Sequence, residues 1–146
     1  MATFHDLDKN LFFQLVQAPK SAVGSVTVPA TYIDVSGYDS FAFVLAVGAG
    51  FDRTTYTMQV VQGTSSGGAG SKNVTSALSV TPTAANKMEM VIVRSSALDT
   101  ANSFRYVAVT TASSGGTTDV GSIWFLGWRA RTLPPTQTDL ESIVRV

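Results

Sequence analysis

A chain of 146 residues with ten basic and ten acidic side chains carries no net charge, so it has no field to hold a nucleic-acid backbone by counterion release. Charged residues make up only 14% of it, against roughly 25% in ordinary soluble domains, so its surface must be Ser, Thr and Gly or be buried in an assembly. It has no cysteine and one histidine, which excludes disulfides and cysteine nucleophiles and leaves a zinc site short of ligands.

The length fits one domain. Residues 1–21 form the first zone. Phe4 and Leu7 stand among polar neighbours without a period, and no basic segment followed by an apolar run marks a signal peptide. No run approaches the roughly 20 apolar residues of a membrane span. Leu11, Phe13 and Leu15 then alternate with Phe12, Gln14 and Val16, which predicts a short strand ended by Pro19.

Residues 22–131 form the body. Val26 and Val28 predict a strand closed by Pro29, and Tyr32 to Val35 predict the next. After a turn at Gly37, Phe41, Phe43, Leu45 and Val47 fall on one face of a strand, with Ala42, Val44 and Ala46 on the other. That strand has no wet side, so it reads as central and buried on both faces. Further strands are predicted at Thr55–Val60, weakly near Val74, at Met88–Val93, at Phe104–Thr110 and at 120–130. The Gly/Ser run 63–71 reads as a flexible loop and 113–119 as a turn. In the last strand Trp124, Leu126 and Trp128 share one face and Ile123 and Phe125 the other, and the tryptophans are expected to pack in the core.

Residues 132–146 form the third zone. Pro134-Pro135 keeps the first part extended, and Thr138 to Val144 has the pattern of a short helix capped by Thr138. About eight strands with turn signals every 8–15 residues predict an all-β, single-domain β-sandwich with extended arms at both ends.

The search for chemistry returns little. A Ser-His-Asp machine needs a rigidly mounted imidazole, and His5 sits in the N-terminal arm. Of Asp34, Asp39, Asp52, Asp99 and Asp119, all but Asp34 fall in predicted turns, where aspartate caps its own backbone. The glycine-rich loops lack the Lys-Ser/Thr of a phosphate cradle. The residues therefore predict no enzyme, metal or cofactor. They do predict contact: apolar side chains in arms without a fold of their own would each be unfavourable in water by roughly 1.5–3 kcal/mol relative to burial. Phe4, Leu7, Leu11, Phe12, Leu133, Leu140 and Ile143 are the expected contact residues.

The segments TYIDVSGYDSFAFVLAVG at 31–48, TTYTMQVVQGTSSG at 54–67 and SFRYVAVTTASSGGTTDVGSIWFLGWRARTLP at 103–134 occur in the order of a known pattern. In them the chain resembles the small head decoration, or cement, proteins of tailed bacteriophages over about residues 22–134. It departs from that pattern in having Gly-Gly-Ala-Gly and Lys72-Asn73 in place of an aspartate-rich loop. The resemblance implies a jelly-roll-like sandwich, often trimeric, made in the bacterial cytoplasm and bound to the capsid exterior through the major capsid protein, with no membrane or nucleic-acid partner. The alternative is a carbohydrate- or receptor-binding sandwich of a phage tail, which the tryptophans would serve if they were exposed.

Overall fold

The computed structural model describes residues 11–20, 26–74, 79–80, 85–115 and 121–130. Nine strands run through them: β1 (Leu11–Lys20), β2 (Val26–Asp34), β3 (Tyr38–Val47), β4 (Thr55–Gly63), β5 (Lys72–Asn73), β6 (Ser79–Val80), β7 (Met88–Arg94), β8 (Tyr106–Ser114) and β9 (Gly121–Ala130). Two single 3-10 turns, Ser95–Ala97 and Thr100–Asn102, join β7 to β8.

The pairing is nested. β1 pairs with β9, β2 with β8, β3 with β7, and β4 with both β5 and β6, all antiparallel. The chain is thus one long hairpin with its apex in the Gly/Ser loop between β4 and β5. It is rolled up so that β3 also pairs with β9 and β4 with β8. The result is two sheets, β1-β9-β3-β7 and β2-β8-β4-β5, with β6 also on β4. This is a β-sandwich, as predicted, and its strand order is that of a jelly roll.

The alternation along each strand builds the core. Phe41, Phe43, Leu45 and Val47 of β3 are buried with Val91 and Val93 of β7 and Ile123 and Phe125 of β9. Tyr56, Met58 and Val60 of β4 and Val107 and Val109 of β8 close the same cluster from the second sheet. At its centre Phe125 lies 5.3 Å from the Phe43 ring, 5.9 Å from Phe41, 5.9 Å from Phe12 and 6.2 Å from Tyr38.

Four expectations change. β2 continues through Pro29, because β2 is the outer strand of its sheet and an edge tolerates a missing N–H; its pairing with β8 shifts between Val28 and Ile33. The strand predicted to end at Thr110 runs on to Ser114. The Gly/Ser loop has a defined path. Thr64 N–H donates to Ala69 O, Tyr32 N–H donates to Ser66 O, and the Tyr32 and Ser71 hydroxyls lie 2.9 Å apart. Gly68, at φ 75°, lets the Tyr32 ring approach where a Cβ would meet it at 2.8 Å. Lastly, β1 is hydrogen-bonded to β9, so the first strand belongs to the sandwich.

Candidate interaction surface

The two sheets differ in what they turn outward. Thr27 of β2, Thr57 and Gln59 of β4 and Thr110 of β8 lie on the outer side of the second sheet and are half-buried. Hydroxyl and amide groups keep that part of the face wet, while beside the Gly/Ser loop Tyr32, Val61 and Ala108 form a small buried apolar cluster with Tyr106 packed against it. The outer side of the first sheet is dry. Its register sets Leu15, Trp124, Val44 and Met90 in one row across the four strands. Phe13, Leu126, Ala42 and Ile92 form the next, and Leu11, Trp128, Ser40 and Arg94 the third. Arg94 is the one charged side chain in these three rows.

Exposure is concentrated at one side. Met88 is 71% exposed, Ile92 57%, Met90 48% and Trp124 39%. Ala42 and Val44 lie low between them at 0% and 7%. The strand predicted to have no wet side therefore has none, but no second strand layer covers its outer face among the described residues. The tryptophan expectation is overturned. Ile123 and Phe125 take the core side of β9, so Trp124 and Trp128 point outward.

Of the predicted contact residues, Leu11 is half-buried on this dry face, opposite Trp128. Phe12 is 6% exposed and packs on Tyr38 and Phe125; its parity puts it in the core, which removes it from the contact set. Phe4, Leu7, Leu133, Leu140 and Ile143 lie outside the described residues. The pairing of Leu11 with Trp128 nevertheless fixes where those segments attach: residues 1–10 and 131–146 join the same end of the same sheet, on neighbouring strands.

A second feature is a cavity of about 590 Å³ between the β2–β3 turn and the β7–β8 connection. Val35, Leu98 and Phe104 form its apolar part, and Ser36, Ser96 and Thr100 supply hydroxyls. Arg105 at its rim is already engaged: its Nε is 3.2 Å from Asp34 Oδ2 and its Nη2 donates to Tyr106 Oη at 2.8 Å. Asp34, the carboxylate outside the predicted turns, is thereby half of an ion pair. Among the described residues no three His, Cys, Asp or Glu side chains gather as a metal site would require.

Nearby, Lys72 Nζ donates to Asp99 Oδ2, and Asn102 donates to both oxygens of the same carboxylate. The Lys72 hydrogen bond, then that of Asn102, holds the Asp99 carboxyl below its ordinary range. A carboxyl depressed by folding adds stability above its unfolded value and loses it as pH falls through the folded one. Lys72→Ala is expected to raise the Asp99 titration midpoint, read from its carboxyl-carbon NMR shift.

Comparison with protein-family models, with curated proteins and with solved structures returns no match. The fold and surface define a jelly-roll sandwich whose first sheet turns an apolar face outward and whose second turns out hydroxyl and amide groups beside one small apolar cluster.

Proposed function

We propose that this chain is a structural assembly protein that works by contact, and specifically a decoration protein that binds the exterior of a bacteriophage capsid and ties neighbouring coat subunits together. The observation that carries the reading is the dry outer face of the β1-β9-β3-β7 sheet. Among the described residues the exposed large apolar side chains, Met88, Met90, Ile92 and Trp124, all stand on that sheet. Exposed apolar patches of that extent mark protein contacts. Leu11 and Trp128 pair at one end of the same sheet, so the segments 1–10 and 131–146, with their apolar Phe4, Leu7, Leu133, Leu140 and Ile143, are joined to neighbouring strands there, which suits a pair of straps.

The exposed Trp124 is the one observation that favours the saccharide-binding alternative. Sugar platforms need hydrogen-bond donors and acceptors beside the ring. Here the indole Nε1 already donates to Ser122 Oγ at 3.1 Å, and Leu15, Val44 and Met90 fill its row. The contact reading accounts for all of these neighbours.

The test is co-sedimentation with expanded capsids assembled from the major capsid protein of the genome that encodes this chain. Saturable binding is expected; no binding at any ratio would overturn the capsid reading. Deletion of residues 1–10, which end before β1, is expected to leave the melting temperature unchanged and to abolish co-sedimentation. Unchanged capsid occupancy would remove the N-terminal segment from the contact.

A further inference from the structure

We propose that the dry face of the β1-β9-β3-β7 sheet is occupied by the same face of a second copy, giving a two-fold pair of sandwiches. The pattern of large and small side chains in that face is complementary to itself. In each of the three rows β9 presents a large residue and β3 a small one: Trp124 beside Val44, Leu126 beside Ala42, Trp128 beside Ser40. A two-fold axis running along the strands, midway between β9 and β3, exchanges these positions without changing the row. Trp124 of each copy then lies over Val44 of the other, Leu126 over Ala42 and Trp128 over Ser40. The same rotation sets Met90 against Leu15 and Ile92 against Phe13, apolar on apolar at the two flanks, so the large-on-small fit lies in the β9–β3 centre. This is the isologous contact of a two-fold dimer, in which residue i meets j and j meets i. Sheets packed face to face twist by about 30° and sit roughly 10 Å apart. The β9 and β3 positions, which flank the axis, therefore hold this register best, Trp124 with Val44 among them.

Area and charge favour a second copy. Met88, Met90, Ile92 and Trp124, 39–71% exposed, and their half-buried apolar neighbours make one contiguous patch of the kind that marks a contact surface. A two-fold axis buries that patch on both copies at once, which favours reaching the roughly 1,000 Å² in total that a specific interface needs. A self-contact also brings like charges together, which most surfaces resist. Here Arg94, at a corner, is the one charge in the three rows, and it falls against Leu11 of the partner. The axis at the sheet centre gives a dimer rather than the trimer that the family resemblance implies.

The inference rests on the reading of this face as a protein contact surface; with a second copy on it, the capsid contact of the proposed function falls to the segments 1–10 and 131–146. Both tryptophans lie on the face, so they report on it directly. Sedimentation equilibrium of the full chain from about 1 to 100 μM is expected to give a dimer, with tryptophan emission moving to shorter wavelength as the dimer forms. Met90→Lys and Ile92→Lys replace exposed side chains and are expected to keep the far-ultraviolet circular dichroism and melt of a folded sandwich. Each is expected to weaken self-association at least tenfold, while Thr110→Lys on the wet sheet leaves it unchanged. A monomer throughout the range, a trimer, or a dimer indifferent to both β7 substitutions would overturn the proposal. A dimer that fails to bind capsids would sink the capsid reading alone.

Discussion

Phe125→Ala lowers the free energy of unfolding by about 3–5 kcal/mol, the range for a fully buried phenylalanine whose site cannot collapse. The ring has no exposed surface and joins residues from two other strands. Phe12 reaches it from β1, and Tyr38, Phe41 and Phe43 reach it from β3. Truncation leaves four aromatic neighbours facing a void. Three meet Phe125 edge-on and Phe41 lies nearly parallel to it, so geometry-dependent ring contacts worth about 0.5–1.5 kcal/mol each are lost with the buried area. Against a total of about 5–15 kcal/mol for a domain, the loss is a large fraction of stability. Urea unfolding followed by circular dichroism measures it. Met88→Ala, on the exposed end of β7, is the control and should shift stability by no more than about 0.5 kcal/mol. Equal midpoints for the two variants would contradict the ring's place at the hub. Phe43→Ala removes the closest of its partners and is expected to fall in the same range.

The core was legible in the sequence where alternation set large residues against small ones, as along β3. Phe41, Phe43, Leu45 and Val47 are buried together as their period requires. Which way a strand faces was harder to read when both sides were apolar, since a two-residue period cannot tell inside from outside. On β9 the tryptophans were the largest side chains and pointed to the core. A signal against that was present: Gly121 and Gly127 share parity with Ile123 and Phe125, and glycine leaves room for rings arriving from other strands. On β7, Glu89 shares parity with Val91 and Val93, so the polar residue marked the wrong side as wet. Glu89 lies near the end of the strand and is half-buried there, while Met88, Met90 and Ile92 face outward. Phe12 was grouped with the arms because it precedes the first turn signal; its pairing opposite Gly127 was a long-range fact that local pattern does not carry. The dry face emerges only when register brings four strands into rows, so it was present in the composition and invisible in any single segment.

Gly127→Val is expected to destabilise the sandwich by more than the 1–3 kcal/mol typical of one added group in a packed core. In register, Gly127 lies between Phe12 on β1 and Phe41 on β3. The Tyr38 ring closes over it, and even a single Cβ there would meet ring carbons at 2.8–3.0 Å. The ring has little room to retreat. It rests on Phe12 and Phe125, and its main chain is anchored by Ser95 Oγ, which donates to Tyr38 O at 2.6 Å. Burial also pushes the Tyr38 hydroxyl above its ordinary pKa, consistent with a ring held against the core. The cause of the loss is therefore one collision, which a double-mutant cycle isolates. Gly127→Ala and Tyr38→Ser should each destabilise alone, and the pair should cost less than their sum, because removing the ring makes space for the methyl. Gly37→Ala is the reference, since a Cβ at Gly37 meets nothing within 4 Å. Additive losses at Gly127 and Tyr38 would show that the ring is free to move aside and that Gly127 serves the strand for some other reason.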